Sequence, residues 1–180
     1  MEPKLLVLDT ILTVALLIII YTDARRGKIY NWVTFPAIGL GVGINAALGH
    51  WEGFKLSVIG LFVGLGIQFL PWQMGLAKAG DVKLLAAVGA LKGWYFLLFG
   101  FLYGAAIHGL IAIPYLAMRG YLRPAFRNMF VFLYSKAMLG ADASLTPASK
   151  LYMPWGVGLS LGFLLAMAME LVWGRVWWGG

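Results

Sequence analysis

The 180-residue chain contains no cysteine, which excludes disulfides, a thiolate nucleophile and any Cys-based zinc site. Acidic residues are scarce at seven, and charged residues of both signs make up only 12% of the chain. Ordinary soluble domains carry roughly 25% charged residues, so this composition is suited to a different solvent. Two histidines, His50 and His108, fall at different levels of the apolar runs and do not form a shared metal site. No glycine loop ending in Lys-Ser or Lys-Thr is present to cradle a phosphate. Cofactor and metal roles are therefore not expected.

What is abundant is apolar. Hydrophobic residues make up 62% of the chain, and the mean hydropathy is +0.85. Apolar runs cover residues 5–20, 32–48, 56–73, 84–91, 94–117 and 155–173. A crossing of the hydrocarbon takes roughly 20 helical residues, which the run at 84–91 reaches only with its flanks. The expectation is an all-α polytopic bundle of about six transmembrane helices with a short fourth span, forming one membrane-embedded domain over residues 1–180. The first run lacks a basic n-region and a small-x-small cleavage site, so it reads as a retained helix. Tryptophans at run ends, such as Trp32, Trp51, Trp72, Trp94 and Trp155, fit an interfacial aromatic belt.

The net charge of +7 is explained by placement rather than by nucleic-acid binding. With six alternating spans, one side receives Arg25, Arg26, Lys28, Lys78, Lys83, Arg119, Arg123, Arg127, Lys136 and Lys150. The other receives Lys4, Lys55, Lys92 and Arg175. Lys and Arg stay inside, so ten against four puts the first group in the cytoplasm and both termini outside. Anionic lipid headgroups are the expected partners of that basic face.

Two acids share one level on that face. Asp23 ends the first run and Asp81 begins the fourth, each beside a basic cluster. An ionisable group at such a boundary is costly unless it is paired, hydrated or used. Asp9 precedes Asp23 by fourteen residues, about 21 Å along a helix, and so belongs near the opposite surface. Glu52 falls in an outer loop, Glu170 in the outer half of the last span, and Asp142 in a polar cytoplasmic stretch. Taken singly, Asp23 reads as a helix-end partner of Arg25 or Arg26, and Asp81 as the cap of a helix starting at Val82. Their common depth and side favour a joint role.

Glycines spaced four apart (Gly60/Gly64, Gly100/Gly104, Gly158/Gly162) allow close helix approach, whereas Gly39, Gly41 and Gly43 favour a bend. Residues 118–153 form the one extended polar-flanked region. Within it, 126–139 suits an interfacial helix, either a cover over a site or a surface-lying connector. A polar path through His108, Asp9 and Glu170 is the transporter alternative, but the best-placed carboxylates lie at a boundary and not at the midplane.

The two aspartates sit in YTDARRGKIYNW (21–32) and AKAGDVKLLAAVGA (77–90). These segments resemble the prepilin peptidases and archaeal preflagellin peptidases, membrane aspartic proteases with a glycine–any–glycine–aspartate signature. Asp81 matches the signature aspartate, and Asp23, followed by Ile29 and Asn31, matches the first catalytic one. LYMPWGVGLSLG (151–162) resembles the family's last-span entry, so that the similarity extends over essentially the whole chain. Lys78 stands in place of the signature's first glycine and Tyr30 in place of a usual proline.

The resemblance implies an aspartic endopeptidase of the short, peptidase-only branch, multi-pass in the plasma membrane, with Asp23 and Asp81 as catalytic pair on the cytoplasmic side. Lys78, Gly80, Lys83 and Asn31 are the implied substrate-contacting or site-shaping residues. The implied substrate is a prepilin or pseudopilin precursor, with a basic leader and a hydrophobic helix, serving a type IV pilus or protein secretion. A peptidase-like assembly component without turnover is the alternative within the same scaffold.

Overall fold

The structure, a computed structural model, describes residues 3–73, 77–118 and 155–173, with isolated positions 120, 123, 127, 131 and 134 between them. The described elements are all helical: α1 (Pro3–Arg26), α2 (Asn31–Gln73), α3 (Ala79–Lys92), α4 (Trp94–Met118) and α5 (Trp155–Trp173). Two compact units are distinguished, one comprising Met1–Ile107 with Pro154–Gly180, the other His108–Met153. The interfacial helix expected at 126–139 and the start of the 151–162 motif lie largely outside the described residues.

Four helices are long and apolar enough to cross a membrane: Leu6–Arg26, Asn31–Gln73, Trp94–Pro114 and Trp155–Val172. Large apolar side chains such as Leu17, Phe62 and Leu102 stand outward, and a helix apolar on every face calls for lipid rather than water. The protein is a multi-pass membrane helix bundle. The difference from six apolar runs has two causes. Runs 32–48 and 56–73 belong to one 43-residue helix, and the run at 84–91 forms α3, which has only 14 residues.

α2 is a hairpin, not a rod. His50 carries non-helical dihedrals (φ 50°, ψ −137°) and reverses the chain. Ser57 Oγ lies 3.2 Å from the Gly41 carbonyl oxygen, although sixteen residues of straight helix would separate them by about 24 Å. The expected bend at Gly39–Gly43 does not occur, because the chain runs helical through these positions. Gly41 instead lets the Ala90 backbone approach, and a Cβ there would sit 2.8 Å from it.

α3 lies against both arms of that hairpin. Gly60 meets Gly89, and Gly64 meets Leu85, backbone against backbone. Near its end, Asn45 Nδ2 donates to the carbonyls of Ala90 (3.2 Å) and Leu91 (3.1 Å), and Ser57 Oγ to Ala90 (2.7 Å). These bonds satisfy carbonyls that a helix terminus leaves without partners. In the same way Gly100 and Gly104 of α4 receive Phe163, Leu159 and Gly162 of α5. The three small-residue pairs therefore mark two helix crossings, α2 on α3 and α4 on α5. A core of Leu12, Leu16 and Ile19 from α1, Leu85 and Val88 from α3, and Leu159 and Phe163 from α5 is fully buried.

Candidate active site

α1 ends because Gly27 adopts φ +64° and its N–H donates to the Asp23 carbonyl (2.9 Å), the left-handed stop that glycine takes without strain. The turn through Lys28, Ile29 and Tyr30 then leads directly into α2 at Asn31. Asp23 thus sits in the last turn of α1, and it is only 2% exposed. Its Oδ2 accepts the Val157 N–H at 3.3 Å. Val157 lies in the first turn of α5, where backbone donors have no intrahelical acceptor and the helix dipole favours an anion.

Gly156 makes this contact geometrically available. A Cβ there would stand 2.8 Å from Asp23 Oδ2 and 2.9 Å from Ile29 Cδ1. Sequence reasoning did not single out Gly156 or the Val157 N–H. The signal was present, since both fall inside the 151–162 motif, but only the fold brings that motif to the end of α1.

Asp81 is also 2% exposed. Its helix starts three residues earlier than the sequence suggested, with Lys78 as the N-cap. Asp81 is the third residue of the helix rather than its cap, and its Oδ2 accepts the Lys78 backbone N–H at 3.0 Å. The Lys78 ammonium reaches across to the Gly27 carbonyl (3.2 Å), and Lys83 Nζ donates to Asn31 Oδ1 (2.8 Å) while lying over the Phe35 ring. Gly80 packs closely on Ile29: a Cβ would lie 3.0 Å from Ile29 Cβ, so that Ile29 would have to give way by a few tenths of an ångström. Ile29 is therefore wedged between the glycine beside Asp81 and the glycine nearest Asp23.

One cavity of about 560 Å³ contains both carboxylates, bounded by the turn from Gly27 to Trp32 and by Lys78 and Gly80. All six of the residues singled out from the sequence (Asp23, Asp81, Lys78, Gly80, Lys83 and Asn31) gather at this end of the bundle, although the Lys83 side chain lies just outside the cavity lining. Asp81 lies outside the four long apolar segments, and its pKa is raised from 3.8 to about 6. Burial is the main cause, and the negative charge of Asp23 adds to it. The Lys78 N–H and ammonium act in the opposite sense. Loss of water and a nearby like charge both favour the protonated form of the Asp81 carboxyl.

Among the described residues no group of three or more His, Asp or Glu is placed to hold a metal ion. Asp9 and Glu170 are not in the cavity. They meet Lys92 at the other end of α3, as the axial separation from Asp23 requires.

The model of the type IV leader peptidase family matches residues 10–113, a stretch that contains both aspartates and every residue lining the cavity. The chain belongs to this family. The 151–162 motif, which contributes Gly156 and Val157, lies beyond the matched residues. Among type IV leader peptidase relatives, the prepilin peptidase EppA of Methanothermobacter thermautotrophicus is 37% identical over 75 residues, 39% of this chain. The match spans only 20% of that relative's length. No solved structure matches the chain at a significant level.

Proposed function

We propose that this leader-peptidase family member is an aspartic endopeptidase that removes the basic leader of prepilin-like precursors at the cytoplasmic membrane face. The carrying observation is that Asp23 and Asp81, 58 residues apart, are both buried in one cavity where Asp81 resists ionisation. The name of the EppA relative supports the substrate class.

The mechanism follows from one proton shared between two carboxylates. The ionised aspartate takes a proton from water as its oxygen forms a bond to the scissile carbonyl carbon. The protonated aspartate gives its proton to the carbonyl oxygen. Collapse of the tetrahedral diol then breaks the C–N bond, with the nitrogen protonated by the first carboxyl group. One diol hydroxyl returns its proton to the second aspartate as the C=O reforms, so a carboxylic acid and an amine leave and the pair again holds a single proton. Ile29 forms an apolar floor between the two groups, and Gly80 and Gly156 keep neighbouring side chains from filling the space. The same reading gives Asn31 and Lys83 the task of holding the turn above Asp81.

The test is cleavage of a prepilin-like precursor in liposomes. The expected product is cut at the leader–helix junction and forms undiminished in chelator. Chelator-sensitive cleavage would point to a metal and sink the aspartic mechanism.

The topology that fits this reading has six crossings, with both arms of α2 counted separately and α3 as the short fourth. The first turn of α3, with Asp81, then lies at the cytoplasmic boundary. Lys28 and Glu52, both exposed, fall on opposite sides of the membrane in this arrangement. Lys28→Cys should react with an impermeant maleimide only from the cytoplasmic side, and Glu52→Cys only from outside. Labelling of both from one side would overturn the alternation. The chain's lack of native cysteine makes each readout unambiguous.

Lys78 provides a pH test. Its ammonium lowers the Asp81 pKa, and the sign is fixed by its positive charge. Lys78→Gly keeps the N–H that Asp81 accepts but removes the cation, so Asp81 keeps its proton to higher pH. The pair is active while it holds one proton, so the alkaline limb of kcat/KM should move upward. A limb that stays in place or moves down contradicts the assignment of that limb to Asp81.

A further inference from the structure

At the end of the bundle remote from the cavity, one lysine holds two carboxylates. Lys92 Nζ lies 2.6 Å from Asp9 Oδ1 and 2.6 Å from Glu170 Oε2. The Lys92 side chain is 4% exposed, that of Glu170 10% and that of Asp9 16%. These groups come from α3, α1 and α5 respectively, the helices that also carry Asp81, Asp23 and the Val157 N–H. α1 carries Asp9 at one end and Asp23 at the other, fourteen residues on. α3 carries Lys92 and, eleven residues back, Asp81; α5 carries Glu170 and, thirteen back, the Val157 N–H that Asp23 accepts. At 1.5 Å per residue the ion cluster is roughly 16 to 21 Å from the carboxylate pair along every helix.

Elsewhere these helices are unequally joined. α3 packs mainly on α2, and α1 on α5 and to a lesser extent on α2, while α3 touches α1 and α5 little. Asp81 thus rides on the α2–α3 pair and Asp23 on the α1–α5 pair, and the two pairs share the apolar core and the α1–α2 contact. At the cavity end they meet through Ile29, the Lys78–Gly27 bond and the Lys83–Asn31 bond. At the far end they meet through the ion cluster. Apolar surfaces slide past each other at little cost, whereas a buried ammonium between two carboxylates has one favourable position.

We propose that Asp9, Lys92 and Glu170 are remote positioning residues that fix the separation of Asp23 and Asp81 by pinning α1, α3 and α5 at their other ends. This role rests on the peptidase reading of the cavity, but its geometric part is testable without turnover. Removing Lys92 alone leaves two carboxylates buried together and risks loss of the fold, so the decisive variant replaces all three. Asp9→Leu/Lys92→Met/Glu170→Met removes every charge at once, and apolar replacement of a buried ion cluster commonly leaves stability intact or raises it.

The separation is read by paired spin labels on Ala24→Cys and Ala79→Cys, exposed positions beside the two aspartates, in a chain with no other cysteine. In the triple variant the label distance distribution should broaden while the melting temperature holds. Turnover kcat should fall about 10- to 100-fold, the scale of a misplacement near 1 Å, with KM changed by less than about threefold. Lys92→Arg, which keeps a cation between the carboxylates, should restore a narrow distribution and most of kcat. An unbroadened distribution in the triple variant overturns the proposal, whatever happens to activity. So does a broadened distribution with undiminished kcat. If the unmodified protein cleaves no precursor while the triple variant broadens, the peptidase reading fails and the positioning geometry stands.

Discussion

Asp23→Asn and Asp81→Asn should each reduce precursor cleavage by at least about 10³-fold if the pair carries the chemistry proposed above, within the range that a positioned proton-transfer group contributes. Asparagine has nearly the same shape, and its amide oxygen still accepts a backbone N–H. The Val157 N–H therefore keeps a partner at position 23, and the Lys78 N–H keeps one at position 81. Membrane insertion and thermal stability should accordingly remain near the unmodified values, which separates lost chemistry from lost fold. The double variant should be no worse than either single, because the two groups act as one unit. Asp9→Asn should cost far less, since Glu170 still pairs with Lys92 and the reacting groups are about 21 Å away along α1. Near-normal turnover in either cavity variant would remove the dyad.

Gly89→Ala gives the largest expected loss of stability. A methyl group there would be driven into the Gly60 carbonyl, and one at Gly60 into the Gly89 carbonyl. No rotamer change relieves a clash of Cβ with backbone, so α3 must leave the groove between the arms of α2. Overpacking costs typically 1–3 kcal/mol where side chains can yield, and here the cost should exceed about 3 kcal/mol. Loss of monodisperse protein in detergent, or a marked fall in melting temperature, is the readout. Gly39→Ala and Gly43→Ala are the controls. Both positions face open space inside a helix, and alanine's better helix propensity, by about 1 kcal/mol, should leave stability unchanged or raised. A mild effect at Gly89, comparable to these controls, would contradict the close crossing of α2 and α3.

Much of the candidate site was legible in the chain because depth can be read from hydropathy. A carboxylate at the edge of an apolar run has a defined level, and alternation then gives Asp23 and Asp81 a common side. Gly80, Lys83 and Asn31 were legible only through the resemblance of their segments to the family's two aspartate motifs. Gly156 and the Val157 N–H were not, since they approach Asp23 only through the packing of α5 on α1, across more than 130 residues of chain. The start of α3 was placed three residues late for a local reason. Asp81 is as good an N3 residue as an N-cap, and only the Lys78 N–H geometry distinguishes them.

The sequence by itself determined the apolar solvent, the helical class and the separation of Asp9 from Asp23 along one helix, because these depend on composition and on spacing within a single element. The small-residue pairs also announced close crossings. Their partners were not announced, because a glycine four residues from another specifies a groove and not what fills it. Tertiary structure alone decided that α2 reverses at His50, that Gly60 faces Gly89, and that Ile29 sits between the two aspartate-bearing segments. It alone placed Lys92 between Asp9 and Glu170. Each of those facts concerns the rotation and register of one helix against another, and these are set by the combined fit of many side chains and not by any local pattern.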